Sequence, residues 1–273
     1  MKKFKKALVF TSILLFILLI LSCAKDESIE SPTEPTVPED SVLVLFDKGN
    51  GELAGNADWT IGSPPSYIGG YSDFGQSLRD AGFETESINY ISDSTLTGAK
   101  VLVLAEPNTQ LSTSSINSIL SFVNAGGGLL IIGNHEGSDR NGDGWDSGDV
   151  LNEFSPDNFG ITFVADSFLE DIGNIETQRS AITAGISMVG CYVGCTLSVS
   201  GDAQGRIWRN GAPQGKTQIF VASSFYGNGK IVAVGDSAIF DDGTGAVGED
   251  LHNDWVLLDN AQLGINIIKW LAE

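Results

Sequence analysis

Between Asn134 and Asp146 the chain reads NHEGSDRNGDGWD, the densest run of chemically capable side chains it contains. Asp139, Asn141 and Asp143 set side-chain oxygens at alternate positions, with Gly144 at the sixth place. That spacing lets a loop wrap a hard cation such as calcium, the glycine allowing the sharp turn. An EF-hand would carry Glu at the twelfth position, where Val150 stands, so Asp146, Asp149 or Glu153 would have to complete the set. The expectation is a calcium loop of Asp139, Asn141, Asp143 and Asp146, structural in role. The alternative is an Asx-rich turn that satisfies its own backbone.

His135 and Glu136 precede that loop, and Asp236 and His252 lie further along. Gathered at one place, these four are candidates for a general acid–base or transition-metal site. Taken singly, His135 could simply order the acidic loop and Asp236 could cap a short helix. Asp47, Glu106 and Asn134 follow predicted strands and are expected to face a ligand. Asn56, Asp58 and Trp59 set an aromatic ring beside polar groups, which suits stacking on a sugar. So does the loop around Tyr67 to Tyr71, although an aromatic plug pinning a long loop fits both equally well.

These residues must be positioned by ordered elements. Val42 to Phe46, Val101 to Ala105, Leu129 to Ile132 and Lys230 to Gly235 are short continuous apolar runs, as expected of strands covered on both faces. Glu84 to Tyr90 alternates as a further strand. Helices are predicted over Tyr71 to Gly82, from Ser112 or Ser114 to Asn124, over Gly148 to Phe154, and over Val256 to Leu271 with Leu257 and Ala261 facing inward. Phe163, Leu197 to Val199, Arg206 to Trp208 and Gln218 to Ala222 read as shorter strands, an antiparallel extension. Strands alternating with helices at this spacing predict a mainly parallel sheet, whose ligand crevice lies beyond the strand C-termini.

The N-terminus is of another kind. Lys2, Lys3, Lys5 and Lys6 precede an apolar run from Ala7 to Leu21, the pattern of an export signal. Ile20-Leu21-Ser22-Cys23 resembles a bacterial lipobox, which implies cleavage before Cys23 and acylation of its thiol. An uncleaved membrane anchor is the other reading of that run. Residues 24 to 40, rich in Pro, Ser, Thr and Glu, are expected to be a disordered tether. The organisation expected is therefore a signal over 1–22, a tether over 23–40 and one domain over 41–273. Removing the four lysines of the signal takes the formal charge from −20 to −24. No basic face remains to bind nucleic acid, and cations are the natural counter-charge. Outside the cytoplasm Cys191 and Cys195 would pair, a metal-binding role being the alternative.

The order of elements, GGGLLIIG at the entry to one strand and GKIVAVGDSAIFDDG at the exit of another resemble the class I glutamine amidotransferase-like superfamily. The resemblance implies a flavodoxin-like three-layer sandwich. It also implies a nucleophilic cysteine at a strand-to-helix elbow, paired with His and Glu. Here the comparable turn is Gly133-Asn134-His135-Glu136-Gly137, with a histidine in the nucleophile's place, so amidotransfer is not expected. Together these features predict a lipid-anchored, calcium-stabilised binding domain of the cell envelope, its partner a glycan or an envelope protein. The alternatives are an extracytoplasmic hydrolase using the His and carboxylate groups, and a purely structural lipoprotein.

Overall fold

A computed structural model describes residues 41–48, 70–244 and 252–273 of the chain. In chain order its strands and helices are β1 (Val42–Asp47), α1 (Ser72–Asp80), β2 (Phe83–Ile88), β3 (Val101–Ala105), α2 (Thr113–Asn124), β4 (Gly128–Ile132), α3 (Ser147–Asn152) and α4 (Ser155–Phe159). There follow β5 (Ile161–Phe163), β6 (Asn174–Ile175), β7 (Leu197–Val199), β8 (Gln204–Trp208), β9 (Ile219–Tyr226), β10 (Gly229–Val234) and α5 (Asn260–Ala272). The expectations on Cys23, the export signal, the tether, and Asn56, Asp58 and Trp59 lie outside the described residues.

The sheet runs β2-β1-β3-β4-β10-β9-β7-β5, with β8 paired to β9 and β6. The first five strands are parallel, and β9 turns back antiparallel on β10. This is the flavodoxin-like order that the resemblance implies, with the antiparallel extension that the sequence pattern predicts. Successive side chains of the apolar strands alternate between two cores. Val44, Phe46, Val103, Leu130 and Val234 pack on one face with Phe74 and Leu78 of α1 and Leu263, Ile267 and Leu271 of α5. Leu45, Leu102, Leu104, Ile131 and Ala233 pack on the other with Ile119 and Val123 of α2 and Leu151 and Phe159 of α3 and α4. Burying each such side chain is worth about 1.5–3 kcal/mol, so both helical layers are held by the same strands.

Several local expectations are corrected. The helix predicted over Gly148 to Phe154 is present as α3, and a second short helix, α4, follows it with Pro156 in its first turn. The last helix begins at Asn260, not Val256. Asp259 turns its carboxylate to the amides of Ser187 and Met188, and Leu258 sits at φ 50°. Leu257 is accordingly exposed. Tyr71 is fully buried among Phe46, Phe74 and Phe240, an aromatic core rather than a sugar platform.

Cys191 and Cys195 are free thiols. The pairing fails because Cys191 belongs to the core on one face of the sheet and Cys195 to the core on the other. Gly194, between the two cysteines, allows a close approach of backbone. A Cβ there would lie 2.6 Å from the Gly235 carbonyl, and one at Gly235 would lie 2.1 Å from the Cys195 carbonyl. These glycines bring the 190–195 segment backbone to backbone against the exit of β10. Gly235→Ala should therefore destabilise the fold by about 1–3 kcal/mol, seen as a lower urea midpoint. An unchanged midpoint would show that the contact is not tight.

Candidate functional site

The parallel strands β1, β3, β4 and β10 end together, and the loops beyond them form a polar floor. β3 runs into Glu106, which is fully buried and sits at φ 41°. A left-handed backbone at a bulky residue costs about 1–3 kcal/mol and persists only where neighbours fix it. Here the Glu106 amide donates to the Ile132 carbonyl at 2.8 Å, and the Asn108 side chain donates to the Glu106 carbonyl at 2.9 Å. The carboxylate is held from two sides. Arg140 Nε and Nη2 donate to its two oxygens at 2.5 and 3.2 Å, and Ser237 Oγ donates to Oε2 at 2.6 Å. Asn134 Nδ2 in turn donates to Ser237 Oγ at 3.1 Å. The network joins the exits of β3, β4 and β10 and ties the acidic loop down through Arg140. The Arg140 amide and the Asn141 side chain add bonds to Asn108 at 2.8 and 2.9 Å.

A cleft of about 200 Å³ opens beside this network, lined by Asn134, His135, Arg140, Tyr192, Val193, Asp236, Ser237, Ala238, Asp241 and His252. Thus His135, Asp236 and His252 share one cleft, as expected. Glu136 does not join them. It is exposed, and it lines a neighbouring cavity of about 330 Å³ with Asp139, Asp146 and Asp149. Asn134 borders both. Of the other residues expected to meet a ligand, Asp47 and Glu106 are buried. Glu106 acts from beneath, as the brace for Arg140. Six lining residues went unassigned in the sequence, and four of them carry polar side-chain groups: Arg140, Tyr192, Ser237 and Asp241. Arg140 is the one cation inside the acidic loop, Tyr192 sits between the two cysteines, and Asp241 belongs to the Asp241-Asp242 pair that closes GKIVAVGDSAIFDDG; each carried a faint mark. Ser237 carried none.

The mouth of the cleft is aromatic. The Tyr192 and His252 rings stack with centroids 3.6 Å apart and planes 32° from parallel, both exposed. Each ring's segment is tied to a buried carboxyl. Asp236 accepts from the amides of Tyr192 and Ala238 at 2.7 and 3.0 Å. Asp241 accepts from the amide of Gly243 at 2.9 Å, and its own carbonyl accepts from the Trp255 amide at 2.8 Å. Burial pushes Asp236 up to about 6, against the pull of those amides. Burial, then the neighbouring charge of Asp242, pushes Asp241 up to about 8. Both thiols are likewise pushed up by burial and stay protonated, unsuited to nucleophilic attack.

The 139–146 loop is strongly self-bonded. Asp139 accepts from the amides of Gly142, Asp143 and Gly144, Asn141 from that of Asp143, and Asp143 from that of Trp145. Asp146 accepts from the amides of Gly137 and Asp149, capping α3. Among the described residues, no three of His, Cys, Asp and Glu gather closely enough to hold one metal ion.

A class of protein is defined by this fold, and known structures share it. The mmIFT52 N-terminal domain is 16% identical, with a TM-score of 0.61, over 84% of this chain and 97% of its own. The cytoplasmic protein STM1381 from Salmonella typhimurium LT2 is 12% identical, with a TM-score of 0.58, over 85% of this chain and 100% of its own. A ThuA-like protein from Parabacteroides merdae is 11% identical, with a TM-score of 0.50, over 85% and 90%. At these identities the likeness is one of fold alone. No curated protein matches the chain. Residues 68–258 match the family described as Domain of unknown function (DUF4350), and the chain belongs to that family.

The two raised carboxyls fix the sign of a pH effect. Below about pH 4 an aspartate is protonated in the folded and unfolded chain alike, and the folded state loses nothing. As pH rises the unfolded chain ionises first, so stability falls from about pH 4 through the folded values near 6 and 8. Asp241→Asn keeps an acceptor for the Gly243 amide and removes the ionisation. It should raise the melting temperature at pH 8.5 and leave it nearly unchanged at pH 4. Parallel melting curves for variant and parent across that range would refute the assignment.

Proposed function

We propose that this is an extracytoplasmic binding domain, lipid-anchored at Cys23 and held off the cell envelope by residues 24–40, that recognises a glycan or envelope partner in the 200 Å³ cleft. The observation that carries this reading is the pairing of the exposed Tyr192–His252 stack with the polar floor of Asn134, Arg140 and Asp236. An aromatic face packs on the apolar side of a sugar ring, while amide, guanidinium and carboxyl groups meet its hydroxyls. The cleft is small, of a size for one or two sugar units. Binding rather than turnover is favoured because the Asp236 oxygens and Asp241 Oδ1 already accept backbone amides. The same proposal takes in a distant kinship with the glutamine amidotransferase-like superfamily, without its nucleophile.

One observation favours a hydrolase as the second reading. Asp241 keeps its proton near neutrality and lines the cleft with His135, the arrangement of a general acid beside a base. The purified full-length protein should bind oligosaccharides of the envelope without turning them over. Tyr192→Ala should weaken binding about tenfold, as loss of a stacking face does, with no change in melting temperature. If no oligosaccharide binds, or if Tyr192→Ala binds like the parent, the proposal falls. Turnover abolished by His135→Ala at unchanged stability would establish the hydrolase instead.

Calcium enters the proposal as a stiffener of residues 139–146. Asp139 and Asp146 reach the acidic cavity beside Glu136 and Asp149, and Asp149 is pushed up by burial and by the charges of Asp146 and Glu136. A cation there would relieve that repulsion. Chelation should lower the melting temperature, and Asp143→Ala should remove the dependence. An unchanged melt with chelator present would remove calcium from the account.

A further inference from the structure

The charges of the cleft are unevenly matched. Arg140 is the one permanent cation among its lining residues, and Glu106 already holds its guanidinium through both oxygens. Asp236 and Asp241 line the same cleft, 0% and 2% exposed. Among the described residues neither forms an ion pair with Lys, Arg or His. Backbone amides orient them but bring no full positive charge. Asp236 faces Glu106 and the Cys191 thiol. Asp241 faces Asp242, Asp254, Tyr71 and Arg140, with His252 beside it. Both carboxyls consequently retain protons to higher pH than an ordinary aspartate. The Tyr192–His252 stack lines the same cleft, and an aromatic face attracts a cation as well as a sugar ring.

We infer that the ligand of this cleft is an amino sugar with a free, protonated amine, its ammonium set between Asp236 and Asp241 beneath the rings of Tyr192 and His252. This rests on the glycan reading above and adds the charge of the ligand to it. An ammonium supplies the counter-charge that the lining residues lack. A uronic acid would bring a carboxylate to a cleft whose one permanent cation is already held by Glu106, and would be rejected for want of a counter-charge. An N-acetylated sugar would keep its hydroxyl contacts and lose the ion pair.

The test is calorimetric titration of the full-length protein at pH 6.5 with three probes: a glucosamine oligosaccharide, its fully N-acetylated counterpart, and an oligomer of glucuronic acid. The free amine should bind about tenfold more tightly than the acetylated sugar, and the uronic acid should not bind. Asp241→Asn and, separately, Asp236→Asn should bring the amine and its acetylated form to within about threefold of each other, each variant checked by its melting curve. Tyr192→Ala should weaken both sugars, the amine the more, since it also loses an aromatic face for its cation. Equal binding of the amine and its acetylated form by the parent, with Tyr192→Ala still weakening both, would overturn the ammonium and leave the glycan reading standing. An amine preference untouched in both Asn variants would also overturn it. Binding of none of the three probes would overturn both readings together.

Discussion

A carboxylate with no solvent exposure has to be answered by a partner, and Glu106 is answered by Arg140. Removing Arg140 would leave that buried charge uncompensated, at a cost of about 3–5 kcal/mol, far more than a surface pair contributes. The consequence is architectural. Arg140 lies in the middle of the acidic loop, so satisfying Glu106 draws that loop down onto the exits of β3, β4 and β10. Ser237 and Asn134 complete the same network and set the floor of the cleft. The strained backbone at Glu106 is tolerated because the polar groups around it are engaged.

The parallel sheet was legible because its strands are continuous apolar runs, and residues such as Val101 to Ala105 have no other economical place than between two layers. The antiparallel extension was legible only as loose apolar segments, since β7 and β5 are three residues each. Where the reading failed, a long-range polar contact had overridden a local pattern. Val256 and Leu257 continue the helical periodicity of α5, but Asp259 caps the distant 187–188 turn and the helix starts after it. The cysteines are four apart in sequence, yet the segment crosses from one face of the sheet to the other between them. Neither fact is visible without the tertiary structure.

The site shows the same division. Strand ends announced Asn134, His135 and Asp236, because a buried run that stops at polar residues marks the rim of an α/β sheet. Glu106 was marked for the same reason, and its carboxylate is engaged by Arg140. Depth cannot be read from position at a strand end: Glu106 and Asp236 are both fully buried, but only Asp236 lines the cleft. His135 and Glu136 are adjacent in sequence but line different cavities, the chain entering a turn at Glu136.

Asn134 walls both of those cavities. Its Nδ2 reaches Ser237 on one side while its Oδ1 receives the His135 amide at 2.7 Å. One planar group therefore partitions a chamber rich in carboxylates from a chamber with an aromatic mouth. Any exchange at this position is read twice, once by each compartment, and neither compartment can drift in shape without the other registering it.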